Sequence, residues 1–190
     1  RHYAIDADGR TVHSCAQLAT AAIRDCLAGS RTTLNDIGLL ACGSSGGDLL
    51  MPGFASMVQG ELGAPPMQTL SSHGVCASGV GAWEAAAAAV ELGSHAHALV
   101  AAAEMPSRLF KRSRFAASGY DADFDAHFLR WMLSDGAGAL QLTSAPRGEV
   151  RLRLKKGDVD LAAKDFPIEL LARSEWGGSG AMPELLAAFC

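Results

Sequence analysis

Ser71-Ser72-His73-Gly74-Val75-Cys76-Ala77-Ser78-Gly79 joins a strand candidate, residues 67–71, to the best helical segment of the chain, residues 77–92, which is Ala-rich and closed by Gly93. Cys76 therefore stands at a strand-to-helix elbow. A thiol there meets unpaired backbone N–H groups and the positive end of the helix dipole, which together favour the thiolate and prepare a nucleophile. Gly74 permits the tight turn, Ala77 and Ser78 are small, and Gly79 lets the helix approach its neighbours. The same N–H groups can hold an oxyanion formed on an attacked thioester carbonyl. Taken without its neighbours, Cys76 is equally a small buried side chain, so position alone leaves both readings open.

Outward from the elbow, strands and helices alternate. Residues 12–27 place Val12, Cys15, Leu18, Ala22, Ile23 and Cys26 at helical spacing, with Gly29 as the stop and both cysteines on the buried side. Residues 37–42 are an apolar run ended by Gly43-Ser44-Ser45-Gly46-Gly47, a buried strand and a tight loop. Pro52 suits the first turn of a helix reaching Leu62 and stopping at Gly63, and Pro65-Pro66 then lead to the strand before the elbow. Residues 97–103 and 137–142 are further apolar strands, the second following the turn Ser134-Asp135-Gly136. The pattern predicts an α/β fold with a parallel or mixed sheet, five-stranded once an edge strand is added, and helices on both faces.

Between the last two apolar strands, residues 106–130 are polar, basic and aromatic by turns, a connection long enough to predict a functional role. The character shifts after Pro146. Residues 149–154 alternate as an exposed edge strand would, 158–173 are amphipathic but interrupted by Pro167, and Pro183 starts a short helix. The expected division is 1–145 as one half-domain and 146–190 as a partial C-terminal segment.

The chain has 190 residues, sixteen basic against twenty acidic, and is 49% hydrophobic and 19% charged, which places it among folded globules and away from disorder. No basic stripe suggests nucleic acid or an anionic bilayer, and no apolar run approaches the ~20 residues of a membrane span. Five cysteines, odd in number and without a Cys-x-x-Cys pair, predict a reducing compartment, read as the cytoplasm. The start at Arg1 carries neither an initiator Met nor a secretion signal, and is read as not the native one.

The elbow run resembles the active-site cysteine segment of the ketosynthase III branch of the thiolase superfamily, the β-ketoacyl-acyl-carrier-protein synthases III. Four further stretches resemble that family in order: Arg1-His2-Tyr3, residues 34–40, residues 52–63, and Ser134-Asp135-Gly136-Ala137-Gly138-Ala139, the last with Ser where the family has Gly. The resemblance runs from Arg1 to about Leu142. It implies a thiolase-like layered fold, of which this chain holds one half and part of the second, and a homodimer. It also implies decarboxylative Claisen condensation, with Cys76 taking the acyl group and a malonyl thioester supplying the enolate. No cofactor is implied; the partners are coenzyme A thioesters, an acyl carrier protein, or both, in fatty acid or polyketide-like biosynthesis.

Further positions follow from the same resemblance. Gly136 and Gly138 would supply a tight backbone near the site, or serve only as a structural turn. Met51 falls where the family places a residue reaching into the partner subunit's acyl pocket, although Met is also a common core filler. Lys111, Arg112 and Arg114 lie in the region that varies with substrate and could meet phosphates of coenzyme A or an acidic carrier, or simply be solvated. The family's other catalytic groups, a His and an Asn, belong to its second half. None of His73, His95, His97 and His127 has their flanking motif. A chain with one such half should expose a face that the other half covers.

Three competing readings arise from the residues. Gly43-Ser44-Ser45-Gly46-Gly47 satisfies Gly-x-Ser-x-Gly after a strand, which would make Ser45 the nucleophile of a serine esterase, although no late histidine motif supplies its base. His73-x-x-Cys76 and His95-x-His97 are scattered ligands without the paired spacing of structural zinc, so no metal is expected. A catalytically inactive half-domain that acts only as a pairing module is the third.

Overall fold

The computed structural model describes residues 3–110, 119, 123–144 and three short strands at 153–155, 158–160 and 171–174. Helix α1 (Cys15–Ala28) begins where the sequence changes from polar turn to helical periodicity. Its start is closed by a capping box: Ser14 Oγ accepts the Gln17 N–H at 3.0 Å while Gln17 Oε1 accepts the Ser14 N–H at 3.0 Å. Strand β1 (Leu39–Gly43) is buried throughout. Helix α2 (Phe54–Leu62) follows, then β2 (Gln68–Ser72), a 3₁₀ turn (Val75–Ala77) and α3 (Ser78–Glu91). After β3 (His97–Glu104) come α4 (Ser107–Phe110), α5 (Phe124–Met132) and β4 (Gly136–Thr143). Strands β5 (Arg153–Lys155), β6 (Asp158–Asp160) and β7 (Leu171–Ser174) complete the described elements.

The main sheet has five strands in the order β2-β1-β3-β4-β7. β2, β1 and β3 run parallel, and β4 and β7 are antiparallel, so the sheet is mixed. Side chains of a strand alternate between faces, and the two cores obey that parity. Leu40, Cys42, Leu99, Ala101, Ala103, Ala137 and Ala139 pack with α1 and α2, whereas Leu39, Ala41, Ala98, Val100, Ala102, Leu140 and Leu142 pack with α3. Alanines dominate β3, and short side chains there let helices lie close on both faces.

Several expectations are corrected. Pro52 precedes α2 rather than opening it: the helix starts at Phe54, and Gly53, at φ 108°, is its N-cap. Gly136 and Gly138 are not turn residues but members of the β3–β4 ladder, opposite Glu104 and Ala102. Within the amphipathic stretch 158–173 the described residues are strand at both ends, Asp158–Asp160 and Leu171–Ser174. The edge strand expected at 149–154 is described only at Arg153–Lys155, where it pairs with β6 in a separate two-stranded sheet; β7 borders β4 instead. The helix expected from Pro183 lies outside the described residues.

Asp135, just before β4, is buried and gathers three donors. Its Oδ2 accepts the Ala4 N–H at 2.7 Å and the Ser107 hydroxyl at 2.6 Å, and its Oδ1 accepts the Ser107 N–H at 2.9 Å. One carboxylate thus ties the N-terminal segment and the start of α4 to the sheet. Asp135→Asn replaces one acceptor oxygen by a donor facing donors, and an expected loss of about 2 kcal/mol should appear as a lower urea midpoint at unchanged m-value.

Candidate active site

Parallel strands bring their C-terminal ends to one edge, and in open α/β sheets ligands bind there. Gly43 at the end of β1 pairs with Ser72 at the end of β2 and with Ala102 near the end of β3. The loops after these strands therefore converge, and they carry Ser44 and Ser45, then His73 and Cys76, with Glu104 closing β3.

Cys76 occupies the middle of the 3₁₀ turn directly before α3 and is exposed, unlike Cys15, Cys26 and Cys42, which are buried. The elbow is strained one residue earlier. Val75 has φ 52°, a left-handed conformation that a β-branched residue adopts only where its surroundings impose it. Those surroundings are visible. The carbonyl of Val75 accepts both the Ser78 N–H and the Ser78 hydroxyl, the latter at 2.9 Å, while the Ala77 N–H donates to Gly74 O at 3.1 Å. The amides of Ala77 and Ser78 are thus engaged in closing the turn, so an oxyanion beside Cys76 has to be met by other donors. This narrows the expectation that the elbow's N–H groups are free.

Glu104 was not singled out from sequence, yet it lies at the centre of the converging loops. Its Oε1 accepts the Ser45 N–H at 2.7 Å and the Ser45 hydroxyl at 2.9 Å. Burial pushes its carboxyl above the ordinary carboxylate range, opposed by the Ser45 and Ser78 hydrogen bonds and by nearby His73. His73 is itself anchored, its Nδ1 donating to Ser44 O at 3.0 Å. The only signal in sequence was a carboxylate ending an otherwise apolar strand.

The esterase reading fails on geometry. A nucleophile elbow requires strand, turn and helix in immediate succession, but β1 ends at Gly43 and the next helix begins at Phe54. Ser45 donates its hydroxyl proton to Glu104, and the ring of His73 is directed to a backbone carbonyl. Met51 is 78% exposed within an exposed run, Leu49-Leu50-Met51, and is no core filler. Lys111, Arg112 and Arg114 lie outside the described residues. His95 bonds Gln68 Oε1 through Nε2 at 2.7 Å, and His127 bonds Arg130 on the same helix, so neither joins the elbow. Among the described residues no cluster of three His, Cys, Asp or Glu could hold a metal, and no helix is long and apolar enough to cross a membrane.

The cysteines differ sharply in environment. Burial pushes Cys15 up to about 12, partly offset by its hydrogen bond to Ser44, and burial raises Cys42 as well. With iodoacetamide at pH 8, the exposed Cys76 peptide should be alkylated far faster than the Cys15 peptide, because Cys15 is buried and each pKa unit above the solution pH removes a factor of ten of its thiolate. Peptide mass mapping over time reads this directly, and equal rates would show that the fold does not protect the buried thiols.

Comparison with known proteins agrees with this geometry. No family model matches the chain. It is 34% identical over 155 residues to the β-ketoacyl-[acyl-carrier-protein] synthase III of Cereibacter sphaeroides, an alignment covering 78% of this chain and 43% of that one. Among solved structures it superposes on AbyA1, a tetronic acid condensing enzyme, with TM-score 0.64 and 26% identity over 82% of this chain and 47% of that one. It superposes on acetamide-bound OleA of Xanthomonas campestris with TM-score 0.62 and 26% identity, over 70% and 42%. The chain has their thiolase-like fold and resembles β-ketoacyl-acyl-carrier-protein synthase III in sequence, but spans less than half the length of the curated relatives it matches.

Proposed function

We propose that this chain is the nucleophile-bearing half of a β-ketoacyl synthase of the ketosynthase III type. The Cys76 sulfur attacks an acyl thioester, a new carbon–sulfur bond forms, the donor's carbon–sulfur bond breaks, and the donor leaves as its thiol with the proton. A malonyl thioester then loses carbon dioxide, its enolate carbon attacks the acyl-enzyme, and Cys76 is released as the new carbon–carbon bond forms. This is covalent catalysis in two half-reactions, which predicts ping-pong kinetics.

The observation that carries the reading is an exposed cysteine on a strained turn, at the C-terminal ends of three parallel strands and the start of a helix. Residues 1–145 would form this half, and 146–190 would belong to a C-terminal segment leading into the second. The groups that stabilise the enolate would come from that second half. Exposed Phe124, Phe128, Trp131 and Met132 on α5 and the run Leu49-Leu50-Met51 are apolar surface of the kind that a second half or a second copy covers. A homodimer with Met51 reaching across, and coenzyme A or an acyl carrier protein as donor, complete the proposal; the reaction needs no cofactor.

The test is acyl transfer. Protein incubated with a short acyl thioester and digested should carry the acyl mass on the Cys76 peptide. An adduct on Ser45, or none on Cys76, overturns the reading.

A further inference from the structure

Resting on the reading of Met51 as a side chain that reaches across to a second copy, we propose that Arg108 is a positioning residue for that reach, acting through Asp48 on the loop between β1 and α2. The contacts are direct. Asp48 Oδ1 accepts from Arg108 Nη1 at 2.6 Å and from the Cys15 N–H at 2.8 Å, and its Oδ2 accepts the Ala16 N–H at 2.7 Å. Two amides at the start of α1, which no helical carbonyl can pair, and one cation thus hold a single carboxylate. The same Arg108 nitrogen donates to Gly47 O at 3.3 Å, so the guanidinium holds the loop by its backbone as well as by a side chain. Arg108 is fixed in turn, because its neighbour Ser107 is buried and bonded to Asp135 through both amide and hydroxyl.

Immediately after Asp48 the chain turns outward, and Leu49, Leu50 and Met51 are 65%, 94% and 78% exposed. The far end is fixed again. Phe54 is buried, and the Ala55 N–H donates to Ser71 Oγ at 2.9 Å. Three successive apolar side chains therefore stand in water between two anchored points, as a surface meant to be covered does. Packing does not reinforce the first anchor: Asp48, Leu49 and Arg108 border an open cavity of about 600 Å³ whose other walls include Ser14, Met57 and Glu61. Without the Arg108 contacts the Leu49 end of the run has room to fall inward, and Met51, two residues on, withdraws with it. Arg108 begins the connection after β3 and Met51 lies in the one after β1, so the pair also ties two of the converging loops into one unit.

Limited chymotrypsin digestion of the full chain gives the first reading and needs no acyl transfer. Arg108→Met should raise cleavage after Leu49 and Leu50 roughly tenfold, the scale of one lost charge-assisted bond, while cleavage after Leu92, exposed at the C-cap of α3, keeps the parent rate. Arg108→Lys, which returns a cation to Asp48, should restore most of the protection, and Arg108→Gln replaces the Met variant should that one not fold. The second reading is the rate at which Cys76 takes up octanoyl relative to acetyl from the coenzyme A thioesters. A Met51 that fills part of the acyl pocket selects against the longer chain. Arg108→Met and Met51→Ala should therefore each raise the octanoyl-to-acetyl ratio roughly fivefold or more, and the double variant should match Met51→Ala alone. A merely structural Arg108 would lower both acyl groups together and add its effect to that of Met51→Ala. Cleavage of the run that does not rise, or that rises in step with cleavage at Leu92, overturns the proposal, as does a ratio that neither substitution moves or that is additive in the double variant. An unreleased run beside normal acylation of Cys76 refutes the positioning role alone. A run released by Arg108→Met in a protein that takes no acyl group refutes the condensing reading alone.

Discussion

Cys76→Ser is expected to lose acyl uptake from a short acyl thioester by on the order of 10³-fold or more, the scale seen when a covalent nucleophile is removed. A hydroxyl is the weaker nucleophile at neutral pH and needs an adjacent base, and the groups around this elbow offer none directed at it. His73 donates to Ser44 O, and Glu104 is occupied by the amide and hydroxyl of Ser45. The other described thiols cannot substitute, since Cys15, Cys26 and Cys42 are buried. Stability should barely change, within about 0.5 kcal/mol, because the side chain is exposed. Intact-mass measurement during a single turnover reads the loss, and thermal melting shows whether the fold is kept. A Ser variant that acylates at the parent rate would move the nucleophile elsewhere and remove the basis for the condensing mechanism.

How much of this was legible beforehand depends on the range of the interactions. Helices α1 and α3, and strands β1 to β4, are set by local periodicity with glycine and capping stops, and the sequence places each within a few residues. Cys76 is legible for the same reason, since an elbow is a local feature. Glu104 is not: its partner Ser45 is 59 positions away, and the pair exists only because β1 and β3 are neighbours and end together. Asp135 is hidden likewise, its ligand Ala4 being 131 residues distant. Gly136 and Gly138 show the converse. A motif was visible, but its glycines serve a strand ladder against β3, and the residue with most bonds in the motif is the Asp.

Gly43 gives the largest structural prediction. It ends β1 on the face covered by α3, following Leu39 and Ala41 in parity. A Cβ placed there would lie 2.6 Å from the Gly79 nitrogen and closer still to the Ser78 carbonyl, all of it backbone that no rotamer change can move. Hydrogen at this position is what lets the first turn of α3, and with it the elbow, seat against the strand end. Gly43→Val should therefore cost about 3–5 kcal/mol, the upper range for overpacking against rigid neighbours. Gly46 offers the internal control, because a Cβ there meets nothing within 4 Å. Gly46→Ala should stay within about 0.5 kcal/mol of the parent, as ordinary surface substitutions do. The two effects separate in a urea titration. A milder Gly43→Ala variant that still folds should also shift the Cys76 disulfide-exchange rate, since the displaced backbone is that of Ser78, whose hydroxyl bonds Val75 O. Parent-like stability and parent-like Cys76 reactivity in Gly43→Ala would mean that the strand end and the elbow are not mechanically joined, and that the thiol is presented by its own turn alone.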